Sequence, residues 1–336
     1  MQSIPIKQVG QRLVDAFLRE YYYLRLSITD VCNFRCNYCL PNGYQAQPER
    51  QSFLTVDEIR RVGQAFAAMG TRKIRLTGGE PTLRKDFVEI VENLTALEGI
   101  EQLALTTNGY RMAKDVERWK QAGITSINVS VDSLDPRMFQ QITGENKFAD
   151  VMQGIERAFE VGYRKVKVNA VLMKDLNATE FHQFLAWVKN RPIQMRFIEL
   201  MQTGEMDSFF QQHHLSGQRL AEQLVREGWQ LQQKSLTDGP AKVFKHPDYL
   251  GEIGLIMPYE KNFCASCNRL RVSAKGKLHL CLFGEEGIEL RDLLQSDDSQ
   301  MLLQSRLYSA LQGKREHHYL HQGDSGIRAN LATIGG

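Results

Sequence analysis

Leu24-Arg25-Leu26-Ser27-Ile28-Thr29-Asp30-Val31-Cys32-Asn33-Phe34-Arg35-Cys36-Asn37-Tyr38-Cys39 joins an alternating segment to three closely spaced cysteines. Leu24, Leu26 and Ile28 share one face, while Arg25, Ser27 and Thr29 share the other, so residues 24–28 read as a β-strand with one apolar side. Comparable strand patterns follow at 73–77, 102–107, 126–131, 165–172 and 194–200. Amphipathic stretches at 56–69, 86–97, 112–122, 148–161 and 179–190 fill the gaps and read as helices, three of them stopped by Gly70, Gly123 and Gly162. Strands alternating with helices imply βα units and a parallel sheet. Six such units make either a partial barrel or an open doubly wound sheet.

Working outward, the strands share an unusual feature. Parallel strands covered on both faces are ordinarily continuous apolar runs. Here Ile74 and Leu76 oppose Arg75 and Thr77, Val166, Val168 and Ala170 oppose Lys165, Lys167 and Asn169, and Met195 and Phe197 oppose Arg196. The apolar faces pack on helices, and the other faces present cations to a common interior. That pattern predicts an open, polar lumen suited to a polyanion. Polar residues also close the strands: Thr106, Thr107 and Asn108 after the third, Ser130 and Asp132 after the fourth; Met201 follows the sixth. In α/β barrels, active sites gather at those carboxyl ends.

Composition bounds the function. The 336 residues are 42% hydrophobic and 24% charged, enough for a sizeable core and too apolar for general disorder. Lys plus Arg at 42 against Asp plus Glu at 39 gives +3, a balance that predicts no nucleic-acid binding outside a local basic pocket. Without an apolar run near ~20 residues, no membrane span is expected, and the first 25 residues lack a signal peptide's apolar stretch. A cytoplasmic protein is therefore expected, whose six cysteines serve as metal ligands or reactive thiols. The βα beat fades after Gly204; 215–227 reads as a helix, 243–255 as sheet with turns, and 290–312 as helical. The expected division is an N-terminal extension over 1–22, a barrel over 23–204 and a C-terminal region over 205–336 packed on it.

The cysteines fall into two trios. Cys32, Cys36 and Cys39 form C-x3-C-x2-C; Cys264 and Cys267 form C-x2-C, with Cys281 after His279. Three thiolates in one loop can hold three irons of a cubane and leave the fourth open, although zinc or a set of buried thiols remains a rival. For the second trio, spacing leaves a Cys3His zinc site and an iron–sulfur cluster equally open. Arg269 and Arg271, two apart, share a strand face and suit phosphate or carboxylate. Thr77-Gly78-Gly79-Glu80-Pro81 permits close backbone approach, a feature common in ordinary turns. The terminal Ile334-Gly335-Gly336 reads by itself as a loose end.

The C-x3-C-x-aromatic-C signature after the first strand, joined to the Gly-Gly-Glu motif, resembles the radical S-adenosylmethionine (SAM) superfamily. Within it, the chain is similar from about residue 22 to 336 to the GTP 3′,8-cyclase family (molybdenum cofactor biosynthesis protein A). The likeness rests on 24–30, 75–82, Thr106-Thr107-Asn108-Gly109, Val129-Ser130-Val131-Asp132-Ser133-Leu134-Asp135, Phe197-Ile198-Glu199-Leu200-Met201, Cys264-x2-Cys267-Asn268-Arg269-Leu270-Arg271 and the terminal Gly-Gly.

This resemblance implies an α/β fold, a partial (β/α)6 TIM-like barrel with a C-terminal iron–sulfur domain. It implies two [4Fe–4S] clusters: one on Cys32, Cys36 and Cys39, where SAM is cleaved to a 5′-deoxyadenosyl radical, and one on Cys264, Cys267 and Cys281, whose open iron takes guanine. SAM would meet Tyr38, Gly79, Ser130 and Met201. GTP would meet Arg25, Arg75, Thr106, Lys167, Arg269, Leu270 and Arg271. Arg269, Gly335 and Gly336 would serve catalysis, the tail reaching into the site. The implied partners are GTP, an electron donor such as flavodoxin or ferredoxin, the downstream cyclic pyranopterin monophosphate synthase and a second copy of the chain. Two rivals differ in kind: a radical SAM peptide modifier, which has no need of the Arg269–Arg271 pair, and a zinc-stabilised binding module.

Overall fold

The computed structural model describes residues 12–46, 52–202, 207–284, 287–326 and 333. The described residues begin with a tight turn closed by a bridge between Val14 and Glu20 and enter β1 (Tyr23–Ser27). Alternation then proceeds much as the sequence pattern implies: α1 (Val56–Ala68), β2 (Lys73–Thr77), α2 (Phe87–Thr95), β3 (Gln102–Thr107), α3 (Met112–Ala122), β4 (Ser126–Ser130), α4 (Pro136–Thr143), α5 (Phe148–Glu160), β5 (Val166–Leu172), α6 (Phe181–Lys189) and β6 (Ile193–Glu199). The local causes are explicit. Thr55 and Glu58 form a reciprocal capping box at the start of α1. Helix α4, which the hydrophobic pattern did not reveal, starts at Pro136 under an Asp135 cap and stops at left-handed Gly144.

After β6 come α7 (Asp207–His213), α8 (Gln218–Arg226), β7 (Gln230–Leu231), β8 (Lys242–Lys245), β9 (Glu252–Ile256), β10 (Arg269–Val272), β11 (Lys277–His279), β12 (Ile288–Glu289) and α9 (Gln300–Gln312). The helix expected over 290–312 is thus confined to its second half. Ahead of α9, Arg291–Leu293 and Asp297–Ser299 make separate 3-10 turns, the latter capped by the Ser296 side chain.

Among the described residues, all twelve strands belong to one sheet, ordered β12-β11-β10-β1-β2-β3-β4-β5-β6-β9-β8-β7. Strands β1 to β6 run parallel in chain order. The C-terminal region does not merely lie against this sheet. It adds a parallel strand at each edge, β10 beside β1 and β9 beside β6, and continues antiparallel beyond them. The change of pattern near 204 is therefore no break in the sheet.

Leu24, Leu26, Ile74, Leu76, Ile127, Val129, Val168 and Met195 are all inaccessible and pack on the helices as one core. Alternate residues necessarily face the other way. The lock between α1 and the C-terminal region is ionic: buried Glu58 accepts from Arg291 Nε at 2.9 Å and from Gln295. Among the described residues no helix is long and apolar enough to cross a membrane.

Candidate active site

The first cysteine loop leaves β1 and is held on two sides. Arg35 N and Asn37 N donate to Thr143 O and Ile142 O at the end of α4, both at 3.0 Å. Gly79 N donates to Thr29 O (2.9 Å) and Glu80 N to Val31 O (2.7 Å), which ties the Gly-Gly-Glu turn to the run into Cys32. A Cβ on Gly79 would stand 2.3 Å from Val31 O, so a residue without one is required. Buried Glu80 closes the arrangement by accepting from Thr82, Thr107 and Asn108 N. Tyr38 donates to Asp132 Oδ2 at 2.8 Å, and Asp132 also accepts from Val171 N, linking the loop to β4 and β5. Ser130 ends β4, and Met201 follows β6.

All six cysteines are free and partly buried. Burial pushes Cys32 up to about 11 and Cys36 well above the ordinary thiol range, the latter helped by the charges of Asp132, Cys39 and Cys32. In the second trio, burial and the charges of Cys281 and Cys267 raise Cys264. Burial opposes ionisation of Cys267 too, but Arg269 and Lys314 outweigh it and bring the thiol down to about 7. Among the described residues no three His, Cys, Asp or Glu side chains converge as ligands of one metal ion. Each trio nevertheless feels its members' charges, and a set of three soft thiolates suits a polynuclear iron–sulfur cluster, whose corners stand apart.

Beside the second trio lies a chamber lined by Tyr23, Arg25, Lys73, Arg75, Thr106, Asn128, Lys167, Asn169, Arg196, Met201, Arg269, Arg271 and all three cysteines of that trio. Seven of these are cations. They come from β1, β2, β5, β6 and β10, where period two sets them opposite the apolar core. Arg75, 2% exposed, donates to Tyr23 Oη, Leu105 O and Thr106 Oγ1. Arg196 Nε donates to Gln194 Oε1 (2.7 Å), and Gln194 in turn donates to Glu252 (2.6 Å), so a chain of hydrogen bonds aims the guanidinium.

Crowding has an electrostatic signature. Burial, then Arg196, Lys73 and Arg75, bring Lys167 down to about 7. Burial and neighbouring guanidiniums bring Arg271 to about 9 and Arg25 to about 10. Arg196 falls to about 10 by burial and the charge of Arg75. Such mutual repulsion is relieved by a polyanion. The amide oxygens of Asn128 and Asn169 are buried in this wall without a partner among the described residues, acceptors suited to a ligand's hydrogens.

Arg25, Arg75, Thr106, Lys167, Arg269 and Arg271 thus meet in one place. Leu270 does not join them: its side chain, 1% exposed, turns into the core because strand neighbours face opposite sides. Only its backbone adjoins the chamber's arginines. Gly335 and Gly336 lie outside the described residues. Sequence reading missed Tyr23, Lys73 and Asn128 in this wall, and placed Arg196 in the polar interior without naming it among the GTP residues. Extending the alternation one step, from Arg75 back to Lys73 and from Arg25 back to Tyr23, would have found two of them.

Comparison with known proteins agrees with this layout. A family model of the Radical SAM superfamily matches residues 26–188, and one described as Molybdenum Cofactor Synthesis C matches 193–320. Among curated relatives, proteins named GTP 3′,8-cyclase from Actinobacillus succinogenes (79% identical) and Mannheimia succiniciproducens (77%) align over 100% of both chains. Among solved structures, Streptococcus suis SuiB bound to S-adenosylmethionine gives a TM-score of 0.58 at 11% identity, covering 93% of this chain and 75% of that one. Native anSMEcpe with bound AdoMet and a peptide gives 0.53 at 14%, covering 86% and 82%. At these identities the likeness concerns the fold, that of the partial α/β barrel.

Proposed function

The chain belongs to the GTP 3′,8-cyclase family, and from that premise we propose that it cleaves SAM to 5′-deoxyadenosine and methionine while converting GTP to (8S)-3′,8-cyclo-7,8-dihydroguanosine 5′-triphosphate, the first step of molybdenum cofactor biosynthesis. The observation that carries the reading is the chamber in which seven cations share a wall with Cys264, Cys267 and Cys281.

Cys32, Cys36 and Cys39 would hold the [4Fe–4S] cluster that works with SAM, and Cys264, Cys267 and Cys281 the second. When bound, the first cluster and SAM supply a carbon radical. The chain's residues do the rest. Tyr38, Gly79, Ser130 and Met201 seat SAM beside the first loop. Arg25, Lys73, Arg75, Lys167 and Arg196 take the triphosphate, Thr106 orients Arg75, and Arg269 and Arg271 lie between phosphate and purine. Fixing both reactants removes the entropy of their encounter, and an enclosed chamber limits quenching by water. Gly335 and Gly336, outside the described residues, would serve catalysis as a side-chain-free tail, with residues 1–22 as an extension and 205–336 as the nucleotide-side region. A flavodoxin- or ferredoxin-like donor, hand-over to cyclic pyranopterin monophosphate synthase, a homodimer and a cytoplasmic setting complete the reading.

The test is an anaerobic incubation of cluster-loaded protein with SAM, reductant and GTP, followed by mass analysis of the nucleotide. A product isomeric with GTP that forms with equimolar 5′-deoxyadenosine supports the reading; 5′-deoxyadenosine with unaltered GTP defeats it. Arg269→Ala is expected to retain SAM cleavage without nucleotide and to lose cyclisation.

A further inference from the structure

Tyr23 stands among the chamber's cations without a part in the reaction as described. Its side chain is 4% exposed at the start of β1. The phenol oxygen accepts from Arg75 Nε and lies within hydrogen-bond reach of the Arg25 guanidinium. Lys73 Nζ sits 5.0 Å from the ring centroid and the Arg75 guanidinium carbon 5.9 Å.

The groups facing it come from every neighbouring element: Arg25 on its own strand, Lys73 and Arg75 on β2, Lys167 on β5, Arg196 on β6, and Arg269, its register partner, with Arg271 on β10. Opposing charge comes from Asp238, on the loop that meets Lys73 through Thr237 O, and from Glu252 behind Arg196. An oxygen that accepts from guanidiniums binds them better as an anion. Burial alone would drive a phenol up; here Arg75, Arg25 and Lys73 prevail and pull it down to about 6.

We propose that Tyr23 is the chamber's own counter-anion, a phenolate that holds Arg25 and Arg75 in place and takes up a proton when a nucleotide triphosphate replaces it as their partner. The proton passes from water or buffer to Tyr23 Oη; no other bond forms or breaks. The inference rests on the chamber being the GTP site. It has a thermodynamic consequence. A bound polyanion cancels the field that lowers the phenol, so the proton is favoured in the complex and not before. Linkage then makes polyphosphate affinity fall about tenfold per pH unit above about 6, in a wild-type-specific component.

Calorimetry on the anaerobic, cluster-loaded protein measures this directly. GTP and, separately, inorganic tripolyphosphate are titrated near about pH 7.5 in buffers of different ionisation enthalpy, with Tyr23→Phe as reference so that titration of the ligand's own phosphates cancels. The expected result is about one more proton taken up per ligand by the wild type than by the variant. Carbon-13 NMR of ring-labelled tyrosine adds a readout that needs no variant to fold. One of the eleven tyrosines should titrate near neutrality and revert to a neutral phenol when tripolyphosphate is added. Equal proton uptake by wild type and variant, or no tyrosine titrating near neutrality, overturns the role of Tyr23 while leaving the GTP site intact. Failure of both ligands to bind removes the GTP reading and the proposal with it.

Discussion

Replacing Gly79 by alanine tests whether the Gly-Gly-Glu turn positions the first cysteine loop. The added Cβ would lie 2.3 Å from Val31 O, 2.5 Å from Val31 C and 2.7 Å from Asp30 O, the nearest of them more than 1 Å inside the 3.4 Å at which ordinary contact begins. These are backbone atoms immediately ahead of Cys32, so no flexible side chain can swing away. Relief requires the two backbones to part, which lengthens Gly79 N to Thr29 O and Glu80 N to Val31 O. Loss of two such bonds, at about 1 kcal/mol net each, with residual strain, gives a destabilisation of roughly 2–4 kcal/mol. The catalytic effect is larger. A displacement of about 1 Å at a reacting pair costs on the order of 100-fold in rate. The assay is chromatographic quantification of 5′-deoxyadenosine under reducing, anaerobic conditions, alongside thermal unfolding. Gly79→Ala should lower Tm and slow SAM cleavage by about two orders of magnitude. A variant with unchanged Tm and rate would refute the packing argument outright.

Arg196→Gln keeps a polar side chain beside Gln194 but removes a charge from the chamber. GTP affinity should fall roughly 10- to 100-fold, as expected for a charge-assisted bond worth about 1.5–3 kcal/mol, while nucleotide-free SAM cleavage is retained; equilibrium binding checks the first and 5′-deoxyadenosine quantification the second. Glu58 should show in the pH dependence of stability. Burial opposes its charge, but Arg291, Thr55 N and Gln295 hold its carboxyl below the ordinary value. Because the folded pKa is depressed, its contribution is present above about pH 4.5 and is lost as pH falls through the folded value. Glu58→Gln should therefore cost about 2–3 kcal/mol at neutral pH, a deficit that closes in acid; an equal deficit in acid would show that charge is irrelevant. Iron and sulfide analysis should find about eight irons per chain and, in Cys264→Ala, about four; zinc with negligible iron would exclude the clusters.

Much of the architecture was legible because hydrophobic period is a local property. Strands at 73–77 and 102–107 and the helix at 112–122 coincide with β2, β3 and α3, since alternation and glycine stops act over a few residues. The opposition of Arg25, Arg75, Lys167 and Arg196 to apolar neighbours already required a polar interior. Helix α4 escaped notice because its signal is a cap, Asp135-Pro136, on only eight residues. The pairing of β9 with β6 and of β10 with β1 escaped for a different reason: strands far apart in sequence carry no local mark of their neighbours.

The sequence by itself determined the two cysteine trios, the strand–helix alternation and the cationic strand faces, all consequences of residue type and spacing. Only the tertiary structure decided that β10 brings Arg269 and Arg271 beside Arg25, that Leu270 faces the core, and that Tyr23 sits among guanidiniums. The physical reason is that spacing governs which side of a strand a residue occupies, whereas the charges it meets there are set by chain closure across more than two hundred residues.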